Sequence, residues 1–191
     1  MKGKWASAHF GNNNPIVLEL ACGMGDYARS LAKIYPDKNF IGVDIKGNRL
    51  WSGAVRAESD GLTNVCFLRC EIELLYNHFA KNEVDSIWIT FPDPQLKERR
   101  AKKRLTNLRF INVYRQFLQK EGLVQLKTDS PELFTFTLET LEKEKIPVIE
   151  RIDNIYTQEK VPTDLTEIQT KYEKMHLKDN RTIRFVSFKV Q

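Results

Sequence analysis

Apolar residues fall along this chain in two kinds of run. Short, nearly continuous apolar stretches occupy 16–22, 40–45, 65–70, 86–91 and 122–128, the pattern of strands buried on both faces of a parallel sheet. Between them apolar residues recur at helical spacing: Leu31, Ile34 and Tyr35 in 27–35, a polar-faced helix over 47–59, and a short helix over 73–79. A further helix is predicted at 107–118, with Leu108, Ile111, Val113 or Tyr114, Phe117 and Leu118 inward, and another opens on Pro131 and runs to about 143. Two last strands are predicted at 147–152 and 183–190, separated by a polar span over 153–180. Strands alternating with helices define an α/β fold of Rossmann-like form, a mostly parallel seven-stranded sheet with helices on both faces. The last two strands lack a long helix between them, so one is expected to run antiparallel in the edge region. A short N-terminal segment over 1–14 and a single domain over 15–191 complete the expected organisation.

With 191 residues the chain can bury a proper core. No apolar run nears the roughly 20 residues that span a bilayer, and the first residues lack the apolar stretch of a secretory leader. Three cysteines argue against a disulfide framework and fit a reducing cytoplasm, while His9, His78 and His176 lie scattered without metal-ligand spacing. Neither a membrane nor a metal partner is expected, and the oligomeric state is not legible. Charge changes the picture more. The formal charge is +5, but residues 97–109 hold seven Lys or Arg and one Glu, so the remainder sums to −1. Positive charge focused in one loop points to a polyanion or phosphate partner.

That loop directly follows Phe91-Pro92-Asp93-Pro94, where two prolines fix the backbone around one carboxylate at the end of the fourth strand. A plain strand-terminating turn would have the same composition; the adjoining basic run weighs against it. Elsewhere, Glu19-x-x-x-Gly23-x-Gly25 sits where the first strand turns into a helix, and glycines there admit close approach of a ligand. Asp44 ends the second strand at the distance expected of an acid that grips ribose hydroxyls, and Glu71 ends the third. A dinucleotide would need a third glycine where Asp26-Tyr27-Ala28 stands, and Asp26 would repel its phosphates. S-adenosylmethionine carries no phosphate, and its cationic sulfonium and ammonium suit Glu19 and Asp26. Lys127-Thr128-Asp129 ends the fifth strand on the same rim, and Thr170-Lys171-Tyr172-Glu173 offers an aromatic and a carboxylate. Asp129 and Glu173 are candidates to accept the N–H donors on the edge of a guanine. A nicotinamide oxidoreductase and a non-catalytic RNA-binding module are the rival classes; the missing third glycine disfavours the first and the retained acids the second.

In this order the motifs resemble the bacterial tRNA (guanine-N7)-methyltransferases, from about Pro15 to the end of the chain. The resemblance implies methyl transfer from S-adenosylmethionine to guanine N7 in the tRNA variable loop. It assigns Glu19, Gly23, Gly25, Asp44, Glu71 and Asp93 to the cofactor, with Asp93 also catalytic. Lys97, Asp129, Thr170, Lys171, Tyr172 and Glu173 are assigned to the tRNA guanine region. The chain departs from the family in having Gln95 where many members carry Trp, Glu71 where Asp is commoner, and a shorter stretch before the first strand.

Overall fold

The computed structural model describes residues 1–190. One seven-stranded sheet has the order β3-β2-β1-β4-β5-β7-β6. The strands are β1 (Ile16–Leu20), β2 (Asn39–Asp44), β3 (Val65–Arg69), β4 (Val84–Thr90), β5 (Leu118–Thr128), β6 (Val148–Ile152) and β7 (Arg184–Lys189). The first five pair in parallel, and β7 runs antiparallel to both β5 and β6. The antiparallel strand therefore lies one place in from the edge, and β6 forms the edge itself. Strand order reverses between β1 and β4, so their carboxyl ends open the crevice where ligands bind in such sheets.

Helices α1 (Asp26–Ile34), α2 (Gly47–Ser59), α3 (Leu108–Tyr114), α4 (Pro131–Lys143), α5 (Thr163–Glu167) and α6 (Lys171–Lys178) cover the sheet. On one face Tyr27, Leu31, Ala57, Leu165, Ile168 and Phe185 share a buried cluster, which joins α1, α2 and α5. On the other, Phe110, Ile111, Tyr114, Leu133, Phe134 and Leu141 bury α3 and α4 against β1, β4 and β5. The helix expected over 107–118 stops at Tyr114, because Phe117 and Leu118 turn into the core as β5 begins.

A second region also differs from the sequence reading. The polar span over 153–180 holds α5 and α6, anchored by the scattered buried side chains Ile155, Leu165 and Ile168, with Leu177 packed against them, rather than by an apolar stripe. The 1–14 segment packs against the sheet domain through Trp5. Trp5, in a helical turn over Trp5–Phe10, is buried and stacks on Phe79 at 5.4 Å. Its indole N–H donates to the His78 carbonyl at 2.9 Å, and the Glu83 carboxylate accepts from Gly3 and Trp5 N–H groups.

Candidate active site

A cleft of about 1670 Å³ opens over the carboxyl ends of β1, β2, β4 and β5, walled on one side by α6. Ligand pockets commonly measure roughly 300–1,000 Å³, so this one has room for two ligands side by side.

Its floor is acidic. Glu19 on β1 is buried and accepts hydrogen bonds from the Ala28 N–H at 2.8 Å and the Thr90 hydroxyl at 2.9 Å, tying α1 and β4 to β1. Burial pushes its carboxyl up to about 8, against those two hydrogen bonds. Among the described residues no cation pairs with it. Asp44 accepts from the Gly23 N–H at 2.9 Å on one oxygen and from the Lys46 N–H at 2.8 Å on the other, bracing the two loops around the crevice. Asp26 is compensated by Arg29 at 3.4 Å and Arg56 at 3.6 Å.

The two glycines of the first turn do different work. Both have positive φ, but a Cβ on Gly23 would meet nothing within 4 Å, whereas one on Gly25 would lie 2.2 Å from the Phe67 ring. Gly23 gives the cleft its open side; Gly25 makes room for the core. Ala21 and Phe91, just past the ends of β1 and β4, also take positive φ, at 55° and 47°. For residues with side chains this is a strained conformation, of a kind that clusters at functional sites.

Asp93 stands exposed on the cleft wall. Its Oδ1 accepts from the Gln95 N–H at 3.0 Å, and among the described residues Oδ2 has no protein partner. The turn that carries it is held from below. The Arg104 guanidinium donates to the carbonyls of Pro94 and Gln95, both at 3.2 Å, and lies 4.4 Å from the Phe136 ring centroid. Arg104 is buried, so the last residue of the basic run belongs to the scaffold. Lys97, Arg99, Arg100, Lys102 and Lys103 are exposed, flanking or within a 3-10 turn over Glu98–Lys103.

Of the residues singled out in the sequence, Glu19, Gly23, Asp44, Asp93, Asp129, Thr170, Lys171 and Tyr172 line the cleft. Gly25, Glu71, Lys97 and Glu173 do not. Glu71 is exposed beyond β3, and Lys97 lies past the rim. Glu173 requires the clearest correction, since it has 0% side-chain exposure and its carboxylate is fully engaged. One oxygen meets the Lys127 ammonium at 2.7 Å, the other accepts from the Tyr156 hydroxyl at 2.8 Å. It has no face to offer a base. Lys127 is equally buried and also donates to the Ile168 carbonyl at 3.1 Å, so it adds no charge to the rim. Desolvation pushes the Lys127 ammonium down and the Glu173 carboxyl up, each opposed by the partner's charge. Thr170 caps α6 by accepting from the Glu173 N–H. Asp129 reaches the cleft with one oxygen taken by Arg181 at 2.9 Å, and His176 lies 3.6 Å from that oxygen. Thr90, Tyr156 and Arg181 escaped the sequence reading, which groups Arg104 with the phosphate-facing run rather than with the scaffold; only Thr90, at a strand end facing Glu19, carried a positional hint. Among the described residues no group of three or more His, Cys, Asp or Glu is placed to hold a metal, and no helix is long and apolar enough to cross a membrane.

The sheet order, with its antiparallel seventh strand, is a fold shared with solved methyltransferases. An antibiotic-related methyltransferase superposes with a TM-score of 0.68 at 19% identity, covering 98% of this chain and 93% of its own. A 16S rRNA methyltransferase gives 0.67 at 12% identity, covering 92% and 87%. Residues 13–186 match a family model described as a putative methyltransferase. The tRNA (guanine-N(7)-)-methyltransferase of Christiangramia forsetii is 48% identical across all of this chain and 85% of the relative. The enzyme of the same name from Porphyromonas gingivalis is 47% identical over 98% of this chain and 76% of the relative. The chain belongs to the tRNA (guanine-N7)-methyltransferase family.

Proposed function

We propose that this protein methylates N7 of a guanine in tRNA, in the variable loop, using S-adenosylmethionine, and that it acts in the cytoplasm where tRNA resides. The observation that carries the reading is the pairing of Glu19 and Asp93 in one cleft. Glu19 is a buried carboxylate without a cation of its own, and Asp93 is an exposed one held by a clamped turn. A buried acid of this kind is costly unless a positive group arrives, and a cofactor without phosphate but with cationic centres is such a group. Asp44, with lone pairs left after its two backbone bonds, suits ribose hydroxyls, and the open side of Gly23 leaves space for the ligand.

S-adenosylmethionine supplies a methyl group activated on sulfur. Guanine N7 is an unprotonated lone pair, so no residue of this chain has to remove a proton. Asp93, Asp129, Thr170, Lys171 and Tyr172 surround the remaining part of the cleft and orient the base, the positioning effect that dominates such reactions. As the purine gains positive charge, the free oxygen of Asp93 favours it electrostatically. The exposed cations over 97–103 hold phosphates and set affinity rather than chemistry. Glu71 and Lys97 take part only at the cleft's margin.

The test is incubation with radiolabelled S-adenosylmethionine and unmodified tRNA, followed by mapping of the labelled nucleotide. Label at N7 of one guanine is expected. No incorporation, or label at another atom, overturns the reading.

A further inference from the structure

We infer that the outer face of α6 is a second RNA-phosphate-binding surface, built from Lys174 and Lys178 together with Lys171. It stands across the sheet from the basic turn that follows β4. The inference rests on tRNA being the substrate. In the sequence, positive charge gathers in one loop; in three dimensions it forms two banks.

Lys171, Lys174 and Lys178 are spaced i, i+3 and i+7, which places them on one stripe of the helix. All three are exposed and line the cleft. The acids around them are already engaged. Glu173, the only acid within α6, points inward to Lys127 and Tyr156. Asp179 lies 3.5 Å from Arg181, and Asp129 accepts from Arg181 as well. Among the described residues none of the three lysines makes an ion pair.

Much of the stripe works against the helix that bears it, although Lys178 in the last turn suits the negative end of the dipole. Lysines at i, i+3 and i, i+4 repel one another, and Lys171 in the first turn opposes the positive end of the helix dipole. A solvated face chosen for helix stability would mix acids with these lysines. A polyanion lying along the stripe would relieve the repulsion.

The placement fits one ligand running over the cleft mouth. Leu177 and Ile168 seat α6 on the sheet face that carries α1. The basic turn is tied through Leu105 and Phe110 to the opposite face. Asp93 lies at the cleft between the banks, with exposed Tyr172 and Met175 on the α6 side. A strand whose target base enters the cleft would leave flanking phosphates on both sides, and cations beside exposed aromatics suit unstacked RNA.

The test measures tRNA affinity across a range of ionic strength for the wild type, a Lys174→Gln/Lys178→Gln double variant and the matching Lys→Arg double variant. A fourth protein carries Gln at Arg99, Arg100, Lys102 and Lys103. Each lost phosphate contact lowers the slope of log affinity against log salt by roughly 0.7–0.9. The Gln double variant is expected to lose about 1.5 from the slope, and the Arg variant to keep the wild-type value. A wild-type slope in the Gln double variant, alongside a reduced slope in the 99–103 variant, overturns the α6 surface while leaving tRNA as the ligand. A wild type that binds no tRNA defeats the functional reading itself. Acetylation footprinting of the wild-type complex gives a check free of substitutions: protection of Lys174 and Lys178 by tRNA is expected, and full reactivity of both overturns the inference.

Discussion

Glu19 and Glu173 are both buried carboxylates beside the same cleft, and they are opposite in kind. Glu173 has a buried ammonium and a phenol hydroxyl on its two oxygens and faces no ligand space. Glu19 has a backbone N–H and a hydroxyl, no cation among the described residues, and a place on the cleft floor. Burial raises both, but only Glu173 has a fixed positive charge opposing the shift. A compensated buried acid holds structure together. An uncompensated one on a cleft floor suits a cationic ligand, which is the role proposed for Glu19.

The largest effect should come from titrating Glu19. Glu19 has its folded-state value raised from 4.5 to about 8. Between those values the unfolded chain has released the proton and the folded one has kept it, so stability falls as pH rises through the window and levels off above 8. The slope is about 1.4 kcal/mol per pH unit where one proton is at stake, and roughly 4 to 5 kcal/mol in all. Denaturant titrations of the ligand-free protein from pH 5 to 9 should show this loss, and Glu19→Gln should remove most of it. S-adenosylmethionine affinity should rise with pH over the same range in the wild type and flatten in the variant. Parallel stability profiles would mean that Glu19 is ionised throughout.

The paired acid should respond differently. Lys127→Met leaves Glu173 buried with only Tyr156 and should cost about 3 kcal/mol or more, the usual penalty for breaking a buried pair. Replacing both partners with apolar residues should recover much of that. A single variant within 1 kcal/mol of wild type would show that the pair does not anchor α6.

How far these two acids could be told apart from sequence depends on what lies near them in the chain. Glu19 sits in a strand-turn-helix unit with its glycines four and six residues on, so its floor position was legible, as were the strand ends of Asp44 and Asp93. Glu173 finds its partner 46 residues away in β5, and no local pattern reports such a pairing. In Thr170-Lys171-Tyr172-Glu173 the motif mixes a cap, an exposed lysine, an exposed aromatic and a sealed ion pair, and only the three-dimensional fold separates them. The parallel sheet was readable because buried strands form continuous apolar runs. The α5–α6 wall was not, because its burial rests on isolated residues and one charge pair.

Asp93 adds a third condition: a carboxylate neither buried nor paired, fixed by its turn. Asp93→Asn keeps the shape and the bond from the Gln95 N–H while removing the charge. Single-turnover methylation at saturating substrates should slow about 100-fold, or roughly 2.7 kcal/mol, the scale of losing one preorganised electrostatic contact. Wild-type speed in that variant would remove the charge from the mechanism.

The smallest effect divides the basic run itself. Arg104 and Arg100 are four residues apart and identical in type, yet one is buried beneath the Asp93 turn and the other exposed. Arg104→Gln loses the two-carbonyl clamp and the stacking on Phe136, so the turn that aims Asp93 loosens. Turnover should fall about 10-fold, near 1.4 kcal/mol, with the salt slope of tRNA binding unchanged. Arg100→Gln should do the reverse, lowering the slope by less than one and sparing turnover at saturating tRNA. Arg104→Lys should not rescue, because a single ammonium cannot reproduce the planar guanidinium's bonds to two carbonyls together with its contact to the Phe136 ring. If both glutamine variants shift the salt slope equally and leave turnover alone, Arg104 belongs to the phosphate-binding arm and the turn aims Asp93 without it.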